Sequence, residues 1–248
     1  MANPIKQFEI NPIFPIEIGN IDISYTNSSL WMTIAVIVSA GFMTIAMNKK
    51  AIIPGRLQAF AEILYSFIAN MIRDNIGAKG RQYFPLIFTL FIVVLLGNML
   101  GMIPYSFTYT SHLVVTAALA FMIFFIVLVV GFAKHGFHFF SLFLPPGVPL
   151  WLVPLILPIE IMSFLTRPIT LSVRLFANMI AGHIMLKVFA GFSIGMATAG
   201  LGGAFAAFLP MLFNSLMIAF EFLIAFLQAY VFAILSCIYL KDTVEIDH

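Results

Sequence analysis

The chain is 248 residues long, 62% hydrophobic and only 9% charged, where soluble domains carry about 25% charged residues. No water-soluble fold hides that much apolar surface, so the composition calls for an integral membrane protein. A net charge of +2, with no basic tract, Gly-rich phosphate loop or aromatic stacking motif, gives no support to a nucleic-acid or nucleotide partner, and the lone Cys237 excludes a disulfide framework or a thiolate metal site.

Residues 1 to 27 contain acidic residues and prolines but lack a basic start followed by a short apolar stretch and a cleavage site. They read as an outer N-terminal segment rather than a signal peptide. Insertion driven by the mature spans suits an inner membrane, whereas barrel strands would alternate in polarity. The first span occupies residues 28 to 49, apolar from Leu30 to Met47, with Ser28 and Ser29 as cap candidates and Trp31 near one interface. Lys6 precedes it, and Lys49, Lys50, Arg56, Arg73, Lys79 and Arg81 follow, so the positive-inside rule puts the N-terminus outside.

Within residues 51 to 76, Ile53, Leu57, Phe60, Leu64, Phe67 and Met71 recur at helical spacing, with Glu62, Ser66, Asn70 and Arg73 on the other side. The spacing predicts an amphipathic helix at the membrane surface or against a neighbouring subunit. Residues 83 to 133 hold two apolar runs, Phe84 to Ile103 and Leu113 to Phe132, separated by Pro104, Tyr105, Ser111 and His112; they read as a transmembrane hairpin. Asn98 in the first of them needs a hydrogen-bonding partner in lipid and is expected to face protein. Lys134, His135 and His138 return the chain to the inside; two histidines three apart with no third ligand nearby read as an interfacial loop, and no metal or cofactor is expected.

Two long apolar runs follow, residues 148 to 192 and 204 to 241, parted by Gly200, Gly202 and Gly203. As helices they would each measure about 55 to 65 Å, near twice a hydrocarbon core of about 30 Å. Each is therefore two short spans, or both are long helices steeply inclined in the membrane, with Pro154, Pro158, Pro168 and Pro210 as candidate bends. The absence of a later break in the second run favours the inclined pair. The expected fold class is thus an all-α integral membrane protein in a single membrane domain. It has one N-terminal span, a surface helix, a hairpin and two long inclined helices.

Those two runs carry Glu160, Arg167, Arg174, Lys187 and Glu221, with His183 as a titratable neighbour. An ionised group at membrane depth costs on the order of 2.5 to 3.5 kcal/mol on insertion scales, so such residues mark a pathway or a partner. Glu160, Arg167 and Arg174 are seven apart and share a helix face that Asn178 extends; His183 lies nine beyond Arg174, near half a revolution away, and shares its side with Lys187. On the second run Asn214, Glu221 and Gln228 are again seven apart. Internal ion pairs serving only to hold the fold together, Glu160 with Arg167 or Arg174 and Glu221 with His183, are the bland alternative.

The segment Thr170 to His183, TLSVRLFANMIAGH, closely resembles the signature of the F-type ATP synthase subunit a family. The likeness continues through FLQAYVFAILSCIYLKD from Phe226 to Asp242 and, more weakly, through YFPLIFTLF at Tyr83, GNMLGMIPYSF at Gly97 and KHGFHFFSLFLP at Lys134. Carried over, the resemblance implies that Arg174 is the family's essential arginine, Asn178 its neighbouring asparagine, and Gln228 the glutamine of the last helix. His183 and Glu221 stand for the outer half-channel pair, with the two residue types exchanged relative to the best-known enterobacterial pattern. Glu160 matches the acidic residue of the inner half-channel. Gly101 occupies a position that is acidic in some members, so no relay role is expected there.

What the resemblance implies is a non-catalytic, proton-translocating stator working against a ring of c subunits, beside the peripheral stalk b subunits, other synthase subunits and lipid. Its expected home is the bacterial inner membrane, with the mitochondrial inner membrane as the alternative. Two other functions stay open on the residues themselves. One is a secondary transporter with its own substrate site, for which no inverted repeat is evident between the halves; the other is a purely structural anchor, which leaves the two polar stripes unexplained.

Overall fold

The structure is a computed structural model and describes residues 7–18, 21–22, 24–48, 51, 53–103, 106–136, 139, 143, 151–198 and 200–244. Lys6, Lys49, Lys50, Pro104, Tyr105, His138 and the start of the first long run at 148–150 lie outside the described residues. Among the described residues the chain forms four short strands and six α-helices. The strands are β1 (Pro12–Phe14), β2 (Glu17–Ile18), β3 (Ile21–Asp22) and β4 (Tyr25–Thr26). The helices are α1 (Asn27–Asn48), α2 (Arg56–Ile76), α3 (Phe84–Gly101), α4 (Leu113–His135), α5 (Val153–Ala197) and α6 (Leu201–Val244). Five stretches are long and apolar enough to cross a membrane: α1, the run Arg56–Gly101 that carries α2 and α3, α4, α5, and Phe205–Val244 of α6. The protein is an all-α, multi-pass membrane protein.

The small N-terminal strands form in a segment where Ile16, Ile18, Ile21 and Ile23 alternate with polar residues in the sequence on either side of Gly19 and Asn20. β1 pairs antiparallel with β4, and β2 with β3. That pairing also settles where α1 begins. Thr26, still extended at the end of β4, accepts the Ser29 backbone N–H on its Oγ1 at 3.4 Å, and Asn27 Oδ1 accepts that of Ser28 at 2.9 Å. The cap therefore sits ahead of the two serines expected to provide it, because the strand delivers the chain in the extended conformation a cap residue needs.

The buried face of α2 is Ala61, Leu64, Ile68, Met71, Ile72 and Ile76, while Ile53, Leu57 and Phe60 are exposed. The helix carries two adjacent apolar rows, and periodicity alone does not say which one the rest of the protein covers. Leu64 and Met71 of the expected apolar row are buried by the rest of the chain, while Leu57 and Phe60 of that row are left exposed.

Each long run is one continuous helix, 45 residues in α5 and 44 in α6. α5 continues through Pro158 and Pro168, and α6 through Pro210. Around Pro168, Thr166 donates to the carbonyl of Ser163 at 2.8 Å and Thr170 to those of Thr166 and Arg167 at 2.9 and 3.0 Å. Pro168 removes the backbone donor that the Phe164 carbonyl would otherwise receive, and these hydroxyls add bonds to neighbouring carbonyls of the same stretch.

The chain divides into two compact units. The first comprises Met1–Ser39, Val93–Leu113 and Leu175–Ala229; the second comprises Ala40–Ile92, Val114–Arg174 and Tyr230–His248. Inside the first, Tyr109 is buried and donates its O–H to the Val93 carbonyl at 2.9 Å, and the fully buried Asn98 donates to the Ala225 carbonyl at 3.3 Å. Asn98 thus faces protein, fastening α3 to α6. Burial raises the Tyr109 hydroxyl above its ordinary pKa.

In the second unit an aromatic cluster forms around Phe164, whose ring centroid lies 5.1 Å from Phe124, 6.4 Å from Phe139 and 5.4 Å from Phe143. In lipid, helices associate through such contact rather than through escape from water. Phe164→Ala is accordingly expected to cost about 3 kcal/mol, the low end for a buried phenylalanine. Denaturant titration of the purified protein in detergent checks this, with Phe164→Leu recovering most of the loss.

Candidate functional site

In the first unit α5 and α6 bring His183 and Glu221 together. His183 Nδ1 stands 3.3 Å from Glu221 Oε1, both side chains being almost wholly buried. The approach depends on Gly182, since a Cβ there would lie 2.7 Å from Glu221 Oε1. Neither Glu221 oxygen has a hydrogen-bond partner among the described residues. The other imidazole nitrogen, Nε2, meets the Thr108 hydroxyl at 2.9 Å, and Thr108 in turn donates to the Gly101 carbonyl at 3.1 Å. Thr108 comes from the loop between α3 and α4. It reaches this carbonyl because Gly101 has no side chain, and an ideal Cβ there would collide with the threonine.

The proton inventory of this chain follows from its hydrogen bonds. A hydroxyl has one hydrogen, and that of Thr108 goes to Gly101, so Thr108 accepts from His183 Nε2–H. Nδ1 then faces Glu221 either as a lone pair toward a protonated carboxyl or as a second N–H toward a carboxylate. Two lone pairs held 3.3 Å apart in a dry site repel, so a proton belongs in the gap between them. Chemically, an imidazole and a carboxyl at this distance can share one proton.

His183 also borders a cavity of about 650 Å³, whose polar lining includes Gln7, Glu9, Asn11, Thr108 and Lys187. At about 30 Å³ of liquid per water molecule this is room for many waters. Lys187 follows His183 by one turn and is exposed. The N-terminal segment ahead of β1 thus supplies one wall of the cavity.

Asn214, two turns before Glu221 on α6, is half-buried, and its Oδ1 is sealed from solvent without a hydrogen-bond partner among the described residues. Gln228, two turns after Glu221, is half-buried, as is Asn178 on α5.

In the second unit Arg167 Nη1 binds Asp242 Oδ2 at 2.7 Å, with the guanidinium over the rings of Phe164 and Tyr239, 5.5 and 5.2 Å from their centroids. This pairing differs from the Glu160 partnership that spacing along one helix suggested. Asp242 lies 75 residues from Arg167, and no local pattern links them. Glu160 is half-buried and makes no hydrogen bond or ion pair among the described residues. Arg174 is exposed and likewise makes none. Reasoning from sequence missed Thr108 and Asp242. A threonine in a polar loop gives no signal of its own, and Asp242 falls at the very end of the last apolar run.

The family model described as ATP synthase A chain matches residues 29–241. The chain is 55% identical over 245 residues to ATP synthase subunit a of Rhodospirillum rubrum, covering 99% of both sequences. It is 54% identical over 249 residues to that of Agrobacterium fabrum, covering the full length of each. Against that of Rhizobium leguminosarum bv. trifolii it is 54% identical, covering 99% of this chain and 98% of the relative.

Thr108→Val keeps the shape of the side chain but leaves the Gly101 carbonyl and His183 Nε2–H without their partner. The expected cost is about 1 to 3 kcal/mol. Thermal unfolding in detergent should show it, with Thr108→Ser restoring most of the stability.

Proposed function

The chain belongs to the ATP synthase subunit a family, the proton-translocating component of the synthase's membrane sector, and from that premise we propose how its own residues carry the proton. The reading rests on one observation above the others. A cavity with room for many waters is bordered by His183, whose imidazole stands 3.3 Å from the buried Glu221 carboxyl, while Arg174 on the same helix is exposed and makes no ion pair among the described residues.

The cavity is the entrance from the outer side of the membrane. A proton arriving through its water reaches His183, passes to Glu221, and leaves Glu221 for a carboxylate on a partner subunit. Imidazole suits the first step because its ordinary pKa is near physiological pH. The partner is a ring of c subunits, each presenting a membrane-buried acid to α5 and α6, which lie steeply inclined against it. That reading accounts for the many large apolar residues that both helices leave exposed, Phe205, Phe208, Leu216 and Phe220 among them. They face the ring and lipid.

Arg174 supplies a charge that is never lost. It lies between Glu160 and His183 along α5. A guanidinium already bound to a carboxylate of its own chain would be unable to attract another. Being unpaired, Arg174 is available to each ring acid as that acid becomes ionised, and its positive charge keeps protons from crossing directly between the two sides. Glu160 receives the proton leaving the ring on the inner side. Asn178, Asn214 and Gln228 line the path as neutral hydrogen-bonding groups. The subunit performs no bond-making chemistry of its own. Its N-terminus is outside and its C-terminus inside, in a bacterial inner membrane, with peripheral stalk b subunits among its neighbours.

The voltage contribution to such transfer is about 2.3 kcal/mol per elementary charge per 100 mV. Arg174→Ala is expected to abolish ATP synthesis driven by an imposed proton gradient in reconstituted complexes; synthesis at the unaltered rate would refute the role given to Arg174. Glu221→Gln removes the acid that takes the proton from His183. Proton flux should then fall at least tenfold while the complex assembles normally, and unchanged flux through intact complexes would remove the outer path from the account.

A further inference from the structure

Glu160, Arg167 and Arg174 follow one another at seven-residue intervals on α5, so Arg167 shares a face with both and stands about 10 Å along the axis from each. A guanidinium holds its proton at every pH a cell meets. Left to itself, Arg167 would put a second permanent positive charge between Arg174 and Glu160. Its charge is met from the other long helix. Asp242, in the last turn of α6, places Oδ2 2.7 Å from Arg167 Nη1. The rings of Phe164 and Tyr239 lie 5.5 and 5.2 Å from the guanidinium carbon, within cation–π range. All of these residues belong to the second unit. The paired side chains keep 26% and 32% of their surface exposed, so the pair is neither sealed in a core nor free in water.

We infer that Asp242 is a positioning residue for proton exit, which acts by holding Arg167 in a neutral pair and so leaves Arg174 as the free guanidinium of this face of α5. The inference rests on the inner path proposed above, from the ring to Glu160, and deepens it. An unpaired Arg167 would disturb that path in two ways. A proton moving toward Glu160 would pass a standing positive charge, and a ring carboxylate would meet a second cation two turns from Arg174 at which to stop. Neither effect needs direct contact, because charge acts over such distances where little water screens it. Holding two helices together does not require an ion pair, since in lipid close packing and neutral hydrogen bonds serve, and a desolvated pair is often no better than apolar residues of the same volume. What this pair supplies and packing does not is neutrality. The choice of acid matters as well. Glu160 is the nearer carboxylate along the chain, yet the guanidinium turns to Asp242, and Glu160 is left without an ion pair among the described residues. Asp242 thus keeps Arg167 from capturing the acid that the exit path uses.

The test uses the whole synthase reconstituted in liposomes, with the rate of ATP synthesis at a fixed proton gradient and the amount of assembled complex recorded for each variant. Asp242→Asn keeps the shape of the acid but leaves Arg167 charged and unpaired, and the rate should fall by about fivefold with assembly unaltered. Adding Arg167→Gln removes the stranded charge and should bring the rate back to within about twofold of the parent's. Arg167→Gln alone should stay within the same limit, since an unpaired acid at the end of α6 puts no positive charge on the path. An unaltered rate in Asp242→Asn overturns the inference. So does a double variant as slow as that single one, which is what a merely structural fastening predicts. If Asp242→Asn fails to assemble, the two variants that lack the guanidinium carry the test: normal assembly and rate in both support the inference, and a slow Arg167→Gln in normal amount overturns it. Glu160→Gln in the same assay distinguishes this inference from the reading beneath it. If it leaves the rate unaltered, the inner path itself is wrong; if it slows the rate while Asp242→Asn does not, only the role of Asp242 is lost.

Discussion

A charge carried into hydrocarbon must be met by another group or it does not stay charged, and the deep polar residues of this protein are arranged under that constraint. Two of the meetings lie within the chain. Arg167 is paired with Asp242 and flanked by two aromatic rings; His183 meets the Thr108 hydroxyl at Nε2 and stands 3.3 Å from Glu221 Oε1 at Nδ1. Arg174 meets nothing of the kind among the described residues. Incomplete pairing of a guanidinium on an apolar helix is costly for an isolated chain, and the function proposed above meets that cost with a partner's carboxylate. Arg167 and Arg174, two turns apart on α5, thus differ in that the first is paired within the chain and the second is exposed.

The contact of His183 with Glu221 also explains small features around it. Gly182 has no side chain because the carboxyl occupies the space one would take. Gly101 has none because Thr108 does. The Thr108 hydroxyl fills the space beside Gly101 and meets His183 Nε2.

The long helices show how far sequence reasoning reached. Their existence was legible from apolar length, and the second was expected to be unbroken because it carries no late breaker. Three internal prolines did not end them, each removing one backbone donor from an otherwise continuous helix. The seven-residue spacings of Glu160, Arg167 and Arg174, and of Asn214, Glu221 and Gln228, told which residues share a face. Spacing along one helix says nothing of what the face meets, and of the bland pairings Glu160 with Arg167 is not formed, because Arg167 turns to Asp242. α2 repeats the lesson: its amphipathic character was evident, while which of its apolar residues the rest of the chain buries depended on its neighbours.

Composition and periodicity by themselves determined that this is a multi-pass helical membrane protein, where its apolar runs lie, and which few polar side chains are too costly to be incidental. Those properties are local, set by the price of polar atoms in lipid and by the pitch of a helix. Only the tertiary structure decided that Thr108 completes the imidazole, that Asp242 takes Arg167, that an N-terminal strand pair caps α1 and that the Phe8 and His183 rings come within 6.3 Å of each other, centroid to centroid. Each of these joins residues separated by 11 to 175 positions, and a contact across such separation is chosen by the fold as a whole.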